Sequence, residues 1–341
     1  MKRRLLDFLG CPECRQALTL TVTRESGDEI EEGDLSCAGC SRKFPIAGAI
    51  PRFVEAENYA DSFGLQWNKY ARLQLDSQNG TAFSRERFYG ITEWPPESLR
   101  GALVLDGGCG AGRFAEIALA DGAEVVAMDL SSAVDACRTN LSAHSNLHCV
   151  QASLFALPFR DGVFDTVYSI GVLQHTPDPR RAVACLCEKV SPGGRIGLWI
   201  YERDWKSYLG TLGFKYAMRP LTKRWRTATL EKFIRILEAA CWPVVRWARP
   251  RGIFGKAVMR MLPVASGHIQ DVPLSEADFR EWVRLDTFDM LSPAYDLPQR
   301  YRVVQSWLES AGLRPDRRHP HGAISITATR QEAQPVPAPQ K

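Results

Sequence analysis

Asp106, the glycines at 107, 108, 110 and 112, and Asp129 are the residues of this 341-residue chain whose types and spacing most clearly suggest chemistry. A carboxylate at the carboxyl edge of a strand can hold a ligand, and glycines beside it let the backbone approach that ligand more closely than a Cβ would allow. A second carboxylate at the end of the following strand can accept hydrogen bonds from both hydroxyls of a ribose. Together they point to a nucleoside. Cys11, Cys14, Cys37 and Cys40 form a second set, two C-x-x-C pairs 22 residues apart. Four thiolates at that spacing can close a tetrahedron around a structural zinc ion. Disulfides compete for these cysteines, but Met1-Lys2-Arg3-Arg4-Leu5-Leu6-Asp7 lacks the apolar run of an export signal, which favours a reducing, cytoplasmic setting. His175, in a loop before Pro177 and Pro179, is the candidate general base, with loop structure as its plain alternative.

An open parallel sheet would bring the nucleoside-type residues together. Residues 102–106 are an apolar run suited to a buried strand, and Phe114, Ile117 and Ala118 then fall at core-facing helical spacing. Further strands are expected to end at Asp129 and to span 147–151, 164–169 and 195–201, the last after a turn at 191–194. A helix over 300–311 and strands over 313–319 and 323–330 would complete the sheet. The expected class is α/β, a Rossmann-like sheet with helices on both faces. Between the cysteine pairs, Leu18-Thr19-Leu20-Thr21-Val22-Thr23 alternates like a strand, and Gly39, Gly48 and Pro51 punctuate its return.

The dinucleotide fingerprint would place glycine or alanine at position 113, where this chain has Arg113, so a pyrophosphate cradle is disfavoured. The turn instead resembles the D-x-G-x-G-x-G loop of class I S-adenosylmethionine-dependent methyltransferases, of the type 11-like domain. Segments 152–159, 170–179 and 191–194 resemble that family's later motifs in order. The resemblance implies S-adenosylmethionine as cofactor. Asp106, Gly107 and the backbone of Gly108, Cys109, Gly110 and Gly112 would hold its methionine part, and Asp129 its ribose diol. Leu130 would flank the adenine, Ser153 and Leu154 would meet its edge, and Ile170 and Gly171 would close the site near the sulfonium. Many relatives have aspartate where Ser153 stands; a hydroxyl accepts from the adenine amino group less strongly. A ligand-free strand-to-helix turn is the plain alternative, and it accounts for neither Asp129 nor the later motifs. The cysteine module resembles the small zinc ribbons fused to, or partnered with, bacterial methyltransferases.

A net charge of +4 is too small to argue for a polyanionic partner, but its distribution is uneven. From 205 to 262, thirteen lysines and arginines face only Glu231 and Glu238, which leaves that segment at +11 and the remainder at −7. The segment belongs to an insertion of about a hundred residues before the last helix, too long for a plain loop. By the family resemblance it caps the site mouth, where a lid excludes water. A solvated helical face is the plain reading of its charge. Trp225, Phe233, Trp242 and Trp247 among the basic residues add an anionic membrane as second reading and RNA as third. The loop after Ser169 lacks the Asn-Pro-Pro-Tyr or Asp-Pro-Pro-Tyr sequence of many base-amino methyltransferases. Phe63, Trp67, Tyr70, Phe83, Phe88 and Tyr89 are expected to pack, while Arg85 or Arg87 could reach the cofactor carboxylate. Cysteines 109, 137, 149, 185, 187 and 241 read as free thiols, mostly in the core.

The expected organisation is a zinc ribbon at 1–54, a helical lead-in at 55–101, the first part of the core at 102–202, a helical cap at 203–298, the last helix and strands of the core at 299–330, and a disordered tail at 331–341. The function expected is methyl transfer to a small or lipid-linked metabolite, with oxygen favoured as acceptor and carbon or nitrogen open. The chain would be cytoplasmic, with peripheral membrane contact through 205–262. An rRNA or tRNA methyltransferase is the runner-up, and a non-catalytic cofactor-binding or partner-activating protein is the reading from another class. Asp286, Asp289 and Tyr295 stand behind His175 as substrate-side candidates.

Overall fold

The computed structural model describes residues 1–54, 61–203, 210–316, 318 and 323–332. The side chain of Phe63, residues Trp205 and Lys206, and the expected tail from 333 onward lie outside the described residues. Strands β1 (Leu18–Ser26), β2 (Glu29–Cys37), β3 (Lys43–Ala47) and β4 (Ile50–Pro51) form an antiparallel ribbon. Gly33 is obligatory in it, because a Cβ there would lie 2.4 Å from the Thr21 carbonyl oxygen across the β1–β2 pair.

The main sheet has the order β10-β11-β9-β8-β5-β6-β7. Strands β5 (Leu103–Gly107), β6 (Glu124–Asp129), β7 (Leu147–Gln151), β8 (Phe164–Ile170) and β9 (Val190–Ile200) are parallel. β11 (Ile324–Arg330) runs antiparallel to β9, and β10 (Leu313–Pro315) antiparallel to β11. Helices α4 (Arg113–Ala120), α5 (Ala133–Asn140), α6 (Pro179–Lys189) and α11 (Tyr301–Ser310) flank it, so β5 and β7 are buried along their whole length. α6 starts where Asp178 accepts from the Arg181 N–H and Pro179 presets the first turn. The chain order reverses between β5 and β8, and ligand crevices open at such a switch point.

One expectation needs correction. Residues 191–194 are not a turn outside the strand: β9 begins at Val190, which pairs with Phe164, and Arg195 pairs with Thr166. The intervening residues bulge, with Gly193 at φ +76°.

The ribbon covers the edge of the sheet. The Phe53 N–H donates to the Gln151 carbonyl on β7 at 2.8 Å, and the Gly10 N–H donates to Pro158 at 3.0 Å. Ile30, Leu35, Phe44 and Ile46 share one apolar cluster with Val126 and Val150 of the main sheet and with Phe159 of the connection between β7 and β8. An otherwise exposed edge strand is thereby paired and shielded.

Before the sheet come α1 (Asp61–Lys69), α2 (Asp76–Asn79) and α3 (Phe83–Thr92); after β9 come α7 (Gly210–Thr222), α8 (Thr227–Ala248), α9 (Gly252–Met259) and α10 (Glu276–Leu291). α8, α9 and α10 share a core in which Val245, Met259, Ile269, Phe279 and Trp282 bury with Leu73, while α7 packs through Phe214 and Met218 against a second cluster of Leu230, Ile234 and Phe288. α1 packs against both α5 and α10, bridging sheet and cap. The basic segment is not one solvated face. Lys215 and Arg219 point inward and are buried against Asp296, and Glu238 is buried between Arg280 and Arg284.

Candidate active site and metal centre

The glycine turn joins β5 to α4 and is tied to β6 by its backbone. The Gly108 and Cys109 N–H groups donate to the Met128 carbonyl at 2.8 and 2.9 Å, and the Gly110 N–H donates to Asp129 Oδ2 at 3.0 Å. Gly108 and Gly112 have φ of +104° and +97°, and a Cβ at these positions would lie 2.4 Å from Val172 and 2.8 Å from Leu141. Asp129 Oδ1 accepts from the Ser131 N–H and hydroxyl at 2.8 and 2.7 Å, which fixes the plane of the carboxylate. Asp106 is different. Burial, opposed by the Tyr168 hydroxyl and aided by the Asp129 charge, pushes its carboxyl up to about 8, and its Oδ2 has no hydrogen-bond partner among the described residues. A buried acceptor left open at the head of a glycine turn fits a cofactor that carries an ammonium group.

α1 closes over this turn. The Trp67 ring lies 3.4 Å from where a Gly110 Cβ would sit, and Gly64 permits contact with Ser132, to whose carbonyl Asn68 Nδ2 donates at 3.0 Å. Around the adenine-side candidates, Ser153 Oγ already accepts from the Phe155 N–H at 3.2 Å. Leu154 turns its side chain into the core behind Gly107. The Leu130 carbonyl accepts from Gln151 Nε2 at 3.1 Å. Ile170 is buried at the end of β8, and Gly171 (φ +80°) donates to the Trp199 carbonyl at 3.0 Å. Cys109 is a buried thiol whose pKa burial pushes up to about 12, so it stays protonated.

His175 lies beyond Gly171, under the cap. Its Nδ1 is 3.1 Å from the Tyr295 carbonyl, and only an N–H can make that bond. The geometry therefore assigns the proton to Nδ1 and makes Nε2 the basic nitrogen. Burial lowers the imidazole to about 4, so it is neutral at physiological pH. Its ring stands edge-on to Tyr201 at 5.5 Å, and Tyr201 edge-on to Trp199 at 5.4 Å. Lys215 Nζ pairs with Asp296 at 2.7 Å and lies 4.6 Å from the Tyr201 ring centre. Of the secondary candidates, Asp289 is raised to about 7 by burial and by Asp286, Asp286 binds His268 at 2.7 Å, and Tyr295 serves His175 through its carbonyl. Arg85 is held bidentately by Asp121, with both bonds 2.9 Å. Arg87 lies over the Trp199 ring at 4.5 Å. Trp67, Val172, Trp199 and Tyr201 were not separable from ordinary packing residues in the sequence. The signal for three of them, Trp67, Val172 and Trp199, was the glycine each overhangs.

The four N-terminal cysteines converge, their Sγ atoms all within 4.8 Å of one another. Cys11–Cys40 at 3.5 Å and Cys14–Cys37 at 3.3 Å are far longer than the ~2.05 Å of a disulfide and near the ~3.8 Å edge of a zinc–thiolate tetrahedron. The two knuckles share one shape: Arg15 N–H donates to Cys11 and Ser41 N–H to Cys37, with Arg15 and Ser41 both at positive φ. Backbone N–H groups at Cys40 and Gly39 hold the Cys37 thiol down, and the hydrogen bond Cys37 shares with Cys14 pushes Cys14 up. The donor set fits zinc.

Comparison with known proteins accords with this geometry. Residues 105–198 match the methyltransferase domain family, and residues 2–48 match the Trm112p-like protein family. The ubiquinone biosynthesis O-methyltransferase of Dechloromonas aromatica is 30% identical over 165 residues, covering 46% of this chain and 69% of that protein. The chain belongs to the class I S-adenosylmethionine-dependent methyltransferases. The enzyme of the same name from Aromatoleum aromaticum is 36% identical over 160 residues, so the match spans 46% of this chain and 65% of that relative's length. A solved Haloferax volcanii complex of the Trm112 methyltransferase activator with a methyltransferase aligns with TM-score 0.42 and 12% identity, over 80% of this chain and 100% of that one. Within this methyltransferase, Asp106 and Asp129 stand at the carboxyl ends of β5 and β6, and Gly171 and His175 follow the carboxyl end of β8, at the edge where the strand order reverses. No helix among the described residues is long and apolar enough to cross a membrane.

Proposed function

We propose that the methyltransferase acts on an oxygen of a small or lipid-linked aromatic metabolite, with His175 as general base. The observation that carries this reading is the buried imidazole whose Nδ1–H is fixed by the Tyr295 carbonyl, which makes Nε2 the unprotonated nitrogen, in the short segment that follows β8. The cofactor supplies an electrophilic methyl group on a sulfonium. Asp106, Gly107 and the backbone of Gly108, Cys109, Gly110 and Gly112 hold its methionine part, and Asp129 its ribose diol. Leu130, Ser153 and Leu154 line its adenine, and Ile170 and Gly171 its sulfonium end. His175 Nε2 takes the acceptor's hydroxyl proton, and the low proton affinity of the buried ring keeps it in the unprotonated form that the step requires. Trp67 and the cap exclude water. The zinc ribbon is structural, since four thiolates leave no open coordination position.

The outer face of the cap supports a peripheral membrane role. Ile253, Phe254 and Met261 are 90%, 64% and 72% exposed, and Trp247 packs edge-on to Phe254. Arg251 stacks on the Trp247 ring at 4.1 Å, and Arg246 and Arg260 are near these residues in sequence, a pairing of apolar and cationic groups that suits anionic lipid better than RNA. The test is transfer of a radiolabelled methyl group to phenolic acceptors, free and in anionic vesicles. Methylated phenol is the expected product. A protein that binds cofactor yet labels no hydroxylated acceptor would refute the reading, and equal sedimentation with neutral and anionic vesicles would remove the membrane role.

A further inference from the structure

His175 is held by a backbone carbonyl, and that carbonyl belongs to a strap of chain between α10 and α11. Residues 292–298 of this strap lie in no helix or strand. Tyr295 and Leu297 are 38% and 37% exposed, so apolar burial fixes the stretch only weakly. On one side the strap meets the core. The Leu297 N–H donates to the Gln174 carbonyl at 2.8 Å and, just beyond, the Gln299 N–H donates to the Tyr201 carbonyl at 2.9 Å. On the other side it is gripped by α7. Arg219 donates to the Met290 and Pro293 carbonyls at 3.4 and 2.9 Å, and Thr222 donates to the Leu291 carbonyl at 2.9 Å, which holds the start of the strap. Asp296 anchors its middle: its side chain is 2% exposed and lies 2.7 Å from Lys215 Nζ and 3.8 Å from Arg219 Nε.

An ion pair buried this deeply adds little to stability, because desolvation offsets its attraction; fixing a register is the best-attested use of such pairs. The group that this register places is next in the chain. The Tyr295 carbonyl accepts from His175 Nδ1 at 3.1 Å, and the tautomer of a neutral imidazole follows the partner that its nitrogens find. Lys215 Nζ also lies 4.6 Å from the centre of the Tyr201 ring, which stands edge-on to His175 at 5.5 Å. One ammonium therefore braces both the strap and the ring that packs on the imidazole. We propose that Lys215 and Asp296 are positioning residues for His175: cap helix α7 holds the strap in the register that places the Tyr295 carbonyl on Nδ1 and so makes Nε2 the basic nitrogen. The base is then complete only while α7 is seated, which couples catalysis to the docking of the cap. The catalytic consequence rests on the reading of His175 as base, but the first readout of its test needs no turnover.

The full chain, its six histidines labelled in the ring with the heavy nitrogen isotope, is examined by nuclear magnetic resonance, and the His175 signals are assigned by their absence from His175→Gln. The wild-type ring is expected as the Nδ1–H tautomer. Asp296→Asn keeps the shape of the side chain and removes its charge. It should bring in the Nε2–H form and lower the single-turnover rate of methyl transfer to 3,4-dihydroxybenzoate about tenfold, with S-adenosylmethionine affinity within about twofold of the wild type. A purely structural pair would lower the melting temperature and leave the tautomer as it was, and that result in a folded Asp296→Asn overturns the proposal. Should the unpaired ammonium of Lys215 keep Asp296→Asn from folding, the double variant Lys215→Met with Asp296→Asn carries the same comparison, and an unaltered tautomer there overturns the proposal equally. A wild-type ring protonated at Nε2 overturns it at the outset. A changed tautomer with an unchanged rate leaves the positioning in place and refutes His175 as the base instead.

Discussion

The two flanks of the crevice satisfy their polar groups by different means. On the β5–β6 flank the backbone does the work: Gly110 and Ser131 N–H groups position Asp129, and Met128 ties down the turn. On the cap side, side chains from distant parts of the chain meet one another, as in Lys215 with Asp296 and Glu238 with Arg280 and Arg284. Backbone positioning suits a ligand common to a whole family. Side-chain positioning can be revised by single substitutions, and so suits an acceptor peculiar to one member.

If this division is real, damage to one flank should leave the other's ligand alone. Removing Glu238 should have the largest effect on stability. Glu238→Gln leaves two arginines beside a neutral amide at a buried site, and breaking such a pair costs about 3–5 kcal/mol. Thermal melting should show this loss while S-adenosylmethionine affinity holds; a parallel loss of cofactor would mean that the flanks are one unit. Next comes Asp129→Ala. Two charge-assisted hydrogen bonds to a diol amount to about 3 kcal/mol or more, so cofactor affinity should fall about a hundredfold by calorimetry. Binding of 3,4-dihydroxybenzoate to the cofactor-free chain should not change with it.

The titrating groups offer smaller and subtler probes. His175 has a folded pKa of about 4 against an ordinary 6.5, so between those values the unfolded chain binds the extra proton. Its contribution is intact above pH 6.5 and is lost as pH falls through 4, by roughly 3 kcal/mol in all. His175→Gln should flatten that part of the stability profile, and an unaltered slope would show that the imidazole is not buried as described. Asp106 has the opposite sign. Raised to about 8, it is protonated at pH 7 and destabilises the fold as pH rises from its unfolded value toward 8. A cationic cofactor should therefore expel a proton on binding at pH 7, detectable as a buffer-dependent binding enthalpy. Identical enthalpies in buffers of different ionisation heat would remove the ammonium from the neighbourhood of Asp106.

The sheet was legible in the sequence because its signals are local. Apolar runs mark buried strands, glycines mark the turn, and an acidic residue closes β6, all within a short stretch of chain. The C-x-x-C pairs were equally readable, since zinc geometry constrains spacing. The cap was not, because its charge pattern gives no direction. Lys215 and Arg219 count toward the basic segment, yet they are buried by Asp296, a partner that no periodicity pairs with them. Arg85 and Arg87 were indistinguishable until Asp121 was seen to take the first and leave the second. The 191–194 bulge looked like a loop because its Pro-Gly-Gly sequence is a turn signal, and the β8 pairing on both sides of it overrides that preference.

The most direct test of the account is the single-turnover rate of methyl transfer to 3,4-dihydroxybenzoate by the wild type and by His175→Ala, each saturated with S-adenosylmethionine. The account predicts a rate lower by about a hundredfold or more in the variant, with cofactor affinity within about twofold of the wild type. Equal rates would contradict His175 as the base.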